Sequence, residues 1–119
     1  MRFQGRDLKS YSEPVVASDL KEGLVYFSVG FLDTEMLIPV VEPLVFIGKN
    51  RAVGDTNELY FQDAESYRAG IRYETATDSD NAKFYRQSHD QLGHILEFEH
   101  ALDLLLACSL RRKSALSTP

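Results

Sequence analysis

The segment "MLIPVVEPLVFI" at residues 36–47 is apolar at nearly every position, yet carries prolines at 39 and 43. No other run restricts the fold as much. Side chains alternate across a strand, so continuous apolar content demands cover on both faces, or a strand bent in the middle. Pro39 and Pro43 have no N–H to give to a ladder, which confines them to an edge, a strand start or a bulge. The expectation is two short strands, 36–41 and 44–47, or one kinked strand, closed by Gly48, Lys49 and Asn50.

Upstream, "LVYFSVGF" at 24–31 alternates with a period of two in β-branched and aromatic residues. That pattern predicts a strand whose core face is Val25, Phe27, Val29 and Phe31. "LDTE" follows as a turn, in which Asp33 can bond its own following backbone. Downstream of a polar loop at 48–56, "NELYFQ" at 57–62 resembles a tag-removal cleavage site, Glu-Asn-Leu-Tyr-Phe-Gln. The order here is Asn57-Glu58, Asp63 follows Gln62, and the segment is internal, so it reads as native strand. After a turn at "DAES", the alternation in "YRAGIRYE" predicts the second arm of a hairpin. A short helix over 64–69, stopped by Gly70, is the competing reading. "AKFYRQ" is a further edge strand.

At the C-terminal end, Ser88 and Gln91 have the spacing of a capping box, which predicts a helix over about 89–112 and a frayed tail at 114–119. Arg111, Arg112 and Lys113 complement its C-terminal dipole. Ile95, Phe98, Ala101, Leu102, Leu105 and Leu106 share a broad face suited to covering a sheet. Leu96 and Leu104 fall on roughly the opposite side, near His100. A helix apolar on two sides is either deeply buried or packed against another subunit. Leu96, His100 and Leu104 are therefore the candidate partner contacts.

Together these elements predict one α+β domain over 1–119: an antiparallel sheet of about five strands with one long C-terminal helix packed on one face. A net charge of −5 opposes nucleic-acid binding as the main activity, and the basic cluster near the end leaves the remainder more acidic still. No apolar run approaches the about 20 residues of a membrane span. Cys108 is the only cysteine and "MRFQGRDLKSYSEP" has no apolar core of a secretory signal, so the expected location is cytoplasmic.

The sequence offers little chemistry. His94, Glu97 and His100 stand at successive i, i+3 steps, and Glu97-x-x-His100 is a metal-ligand spacing used in di-iron bundles. Such sites need the motif twice, so these residues read as helix surface and no metal is expected. Cys108 has an inert setting among aliphatic neighbours near a helix C-terminus. No nucleophile elbow and no phosphate-cradling glycine pattern occurs, and no cofactor is implied. The reading leans away from an enzyme, toward a non-catalytic interaction protein acting as a homodimer or as an accessory or inhibitory partner. The alternative is a ligand pocket between helix and sheet lined by Arg68, Arg72, His94 and Glu97. A weaker alternative is nucleic-acid binding through Arg68, Arg72 and Arg86 with interleaved tyrosines on one sheet face.

Overall fold

The structure, a computed structural model, describes Gly5, Asp7, Leu8 and residues 14–117. Most of the segment read for a secretory signal, and residues 118–119, lie outside them. One antiparallel sheet has the order β4-β3-β2-β1-β5. Its strands are β1 (Val25–Phe31), β2 (Pro39–Lys49), β3 (Glu58–Asp63), β4 (Phe84–Ser88) and β5 (Ile95–Leu96). A short helix, α1 (Ala64–Arg68), follows β3, and the long helix α2 (Phe98–Ser117) closes the chain. The α+β architecture expected from the sequence is the one observed, with α2 packed on one face of the sheet.

Both faces carry a core, as the unbroken apolar run of β2 requires. Tyr26, Leu44, Phe46, Leu59, Phe61 and Ile95 form the first face, covered by Val15, Ala17, Leu20 and Leu92. Val45, Ile47 and Tyr60 lie on the second face beneath the segment around Tyr67 and Tyr73. Further along that face, Val29 and Leu96 pack against Ala101 and Leu104 of α2. Burying side chains of this size contributes about 1.5–3 kcal/mol each. The apolar run thus forms one strand, Pro39–Lys49, with Pro39 at its start and a register shift between Phe46 and Gly48. Residues 36–38 fall in the preceding turn.

Four sequence expectations are corrected. In β1, Val25 is exposed while Tyr26 is buried, its hydroxyl oxygen accepting a hydrogen bond from Lys21 N at 3.0 Å. The predicted face divides because two different cores need cover at this strand.

Residues 67–74 form no strand. Asp63 ends β3 by capping α1, its carboxylate accepting from Ser66 N at 3.0 Å and Ser66 Oγ at 2.6 Å. Gly70, at φ 92°, stops the helix. The competing helix reading of 64–69 is the one realised, and the partner of β3 is β4, with Phe61 opposite Tyr85.

The long helix begins at Phe98 rather than near His89. Ser88 is consumed by β4, and Gln91 N closes a turn onto Ser88 O at 3.0 Å. Ile95 and Leu96 instead pair with Ser28 and Phe27, giving the outer edge of β1 a partner.

At its other end α2 runs past Arg112 to Ser117, so residues 114–117 continue the helix.

Candidate functional site

The β1–β2 hairpin is longer than the rest of the sheet. β3 pairs with β2 only from Leu44 onward, whereas β1 pairs along β2 as far as Pro39. Residues 39–43 of β2 therefore have only β1 beside them and form an arm with it. The arm is three-stranded where β5 flanks Phe27 and Ser28 and two-stranded beyond, and α2 lies along it on the second face.

Two contacts hold helix to arm. Near the sheet, the rings of Phe27 and Phe98 meet edge to face at 5.6 Å. At the far end, the hairpin turn is built to receive the helix. The carboxylate of Asp33 accepts from Leu37 N at 3.0 Å and Ile38 N at 2.9 Å, and Met36 adopts φ 58°. This turns the carbonyls of Met36 and Leu37 toward α2. Arg111 donates to Met36 O and Arg112 Nη1 to Leu37 O at 2.7 Å. The buried Cys108 sets Sγ 3.5 Å from Met36 O. The Arg111 guanidinium also lies 5.5 Å from the Phe31 ring centre, within cation–π range. Partial desolvation pushes the Asp33 carboxyl up, but the Ile38 and Leu37 amides and the Arg111 charge outweigh it and hold it below its ordinary value.

The outward side of α2 carries an apolar row among exposed polar residues such as Glu99, Ser109 and Lys113. At about 100° per residue, Ala101, Leu104, Leu105 and Cys108 point to one side. Leu102, Leu106 and Leu110 ascend at steps of four beside them. Leu102 is half-buried, Leu106 is at the edge of exposure and Leu110 is 58% exposed. Phe98, at 59%, begins the same stripe. The opposite surface of the arm is apolar too, with Leu32, Ile38 and Val40 all exposed on the first face. An exposed apolar surface of this breadth, on both layers of one projection, is the feature that most resembles a contact site.

The free edge of the arm is blunted. Leu32 N bonds Ile38 O at 2.9 Å and Phe46 N bonds Leu24 O at 3.1 Å, so even-numbered β1–β2 pairs are the hydrogen-bonded ones. Odd-numbered residues of β2 consequently direct their backbone groups away from β1. Two of the three on the arm are Pro39 and Pro43, which leaves Val41 as the one N–H along that stretch. Side chains, not strand edges, are what this arm offers.

The sequence-predicted residues fall differently. Leu96 lies in β5 at 1% exposure and fills the core, so it presents nothing to a partner. Leu104 packs against the same cluster. His100 is half-buried in the first turn of α2 and already has an interaction within the chain. The second apolar side of the helix exists, but the two sides are exchanged: Leu104 covers the sheet, whereas Leu102 and Leu106, expected to cover it, line the outward row with Leu110. Their i, i+4, i+8 spacing is the signal that could have found them.

The four residues of the alternative pocket do not converge. His94 and Glu97 are exposed beside β5, with His94 O accepting from Val29 N at 3.0 Å. Arg68 and Arg72 lie across the sheet, at the end of α1 and in the segment after it. Arg86 sits on β4 near Asp55 and Glu58, at 3.7 and 3.9 Å, rather than in a shared arginine face. Among the described residues no group of three or more His, Cys, Asp or Glu is placed to hold a metal ion, and no helix is long and apolar enough to cross a membrane. Compared with known protein families, curated proteins and solved structures, the chain matches none.

Proposed function

We propose that this chain is a non-catalytic interaction protein that pairs with a second copy of itself through the helix side of its arm. The observation that carries this reading is the outward row of Leu102, Leu106 and Leu110 on a helix whose opposite side is already satisfied by the sheet. A symmetric pair needs a patch that complements itself, and an apolar row laid against its own copy does so without matching charges. Phe98 at one end supplies the aromatic anchor that such contacts favour.

The test is a concentration series by light scattering. The expected result is a mass approaching twice 13.5 kDa at high concentration. Replacing Leu106→Glu together with Leu110→Glu should return the monomer while leaving the circular dichroism unchanged, since both side chains lie outside the core. A monomer at every concentration would defeat the homodimer.

A further inference from the structure

An apolar row alone would lie against its own copy in either direction. The charged residues set into the outward side of α2 favour one. Their placement is symmetric about Leu106. Leu102 and Leu110 stand four residues to either side, about 6 Å along the helix axis. Glu99 and Lys113 stand seven residues to either side, about 10.5 Å along it. Around the helix, Glu99 and Lys113 fall within about 20° of Leu106, and the two leucines within about 40°. All five lie away from Ala101, Leu104 and Cys108, which face the sheet and the hairpin turn.

The positions are symmetric, but the charges are opposite. Glu99 is in the first turn of α2, and Lys113 is near the other end. Both are exposed. Of the basic cluster at 111–113, Arg111 and Arg112 are engaged by the carbonyls of Met36 and Leu37. Lys113 has no hydrogen-bond or ion-pair partner among the described residues. Glu99 already has an interaction within the chain, and its carboxylate has two oxygens to offer.

Two copies can share this row in two ways. A parallel pair sets Glu99 beside the partner's Glu99 and Lys113 beside the partner's Lys113, like charge against like. An antiparallel pair sets Leu102 beside the partner's Leu110 and Leu106 beside the partner's Leu106. It also sets Glu99 beside the partner's Lys113, once at each end. Charges at the rim of a contact decide register and direction more than affinity, because the wrong arrangement is repelled. The antiparallel pair further brings each helix N-terminus to the partner's C-terminus, where the two helix dipoles attract. Matched positions then run from Phe98 to Ser114, nearly the whole of α2.

We infer that the pair is antiparallel, with its two-fold axis at Leu106 and a Glu99–Lys113 ion pair closing each end. This rests on the self-pairing through α2 proposed above and adds its direction and register.

Cysteine cross-linking of the full chain under mild oxidation tests both. A disulfide needs Cα atoms about 4.4–6.8 Å apart. Leu106→Cys should link two copies. Leu102→Cys and Leu110→Cys should each fail alone, because like positions lie about 12 Å apart along the axis, yet should link when mixed. The unaltered chain should give no link, since Cys108 is buried.

Charge reversal followed by light scattering supplies a second readout. Glu99→Lys and Lys113→Glu should each weaken self-association about tenfold, as two attractive pairs become repulsive. Mixing the two variants, or making both changes in one chain, should restore it. A dimer in which Leu102→Cys links to itself is parallel, and one in which Leu106→Cys does not link has another register. Either outcome, or indifference to both charge reversals, overturns this geometry while self-association stands. A monomer at every concentration overturns both.

Discussion

Arg111 donates from both Nε and Nη2 to the carbonyl oxygen of Met36, at 3.1 and 2.9 Å, joining the helix near its end to the hairpin turn. The pair spans most of the chain in sequence, yet closes the arm. Replacing Arg111→Met keeps the aliphatic stem and removes both bonds. With charged donors at a partly solvated site, the expected loss is about 1 kcal/mol. Calorimetry should read this as a melting point a few degrees lower, and hydrogen exchange should accelerate at Leu37 and Ile38 before the sheet amides respond.

Asp33 gives the same joint a pH dependence. Its folded carboxyl titrates below its unfolded value, so its stabilising contribution is complete above about pH 4 and disappears as pH falls through the lower folded value. Acid unfolding monitored by fluorescence should therefore be less steep in Asp33→Asn. That variant should also be the less stable one near neutrality, because a neutral amide cannot accept from Leu37 and Ile38 with both oxygens.

Gly48→Ala should destabilise by about 1–3 kcal/mol, because a φ of 115° is strained for any L side chain. The close contact with Glu22 is the smaller part, since the end of a flexible carboxylate can move. Denaturant melts of Gly48→Ala with and without Glu22→Ala separate the two contributions. Most of the cost should persist in the double variant.

The Asn57–Gln62 stretch offers a test by proteolysis. β3 is flanked by β2 and β4, and Leu59, Tyr60, Phe61 and Gln62 are all buried. The protease that recognises the similar tag-removal sequence should leave the folded chain intact after overnight incubation. A cut after Gln62 under native conditions would mean that this interior strand opens.

The sheet was legible because its signals were local. Alternation in 25–31, the apolar run through Ile47 and the strand at 58–63 each reported a nearby requirement for cover. The capping-box spacing at 88–91 is easily met by chance, and the fold overrides it. What decided the fate of residues 88–97 was distant: the outer edge of β1 needed Ile95 and Leu96 as a partner. Asp63 proves more than a turn residue for a related reason. Its carboxylate caps α1 and also accepts from Lys83 N at 2.8 Å, a contact across a loop that no short window contains. Gln62 gives no signal in sequence, since a glutamine in a strand carries no sign of whether its oxygen will find a donor. Arg72 was named for a pocket, but for one between the long helix and the sheet, whereas its surroundings are α1 and β2–β3.

The two prolines of β2 bear on how large any assembly can grow. An apolar hairpin projecting from a sheet is the usual seed of open-ended stacking, in which each added chain offers a fresh edge to the next. With a lone N–H at Val41 between Pro39 and Pro43, that edge cannot template a copy of itself. The pairing proposed above would instead use a helix surface that is filled once two copies meet. The exposed apolar arm thus carries its own block to stacking, in the same two residues that made it look unlike a strand.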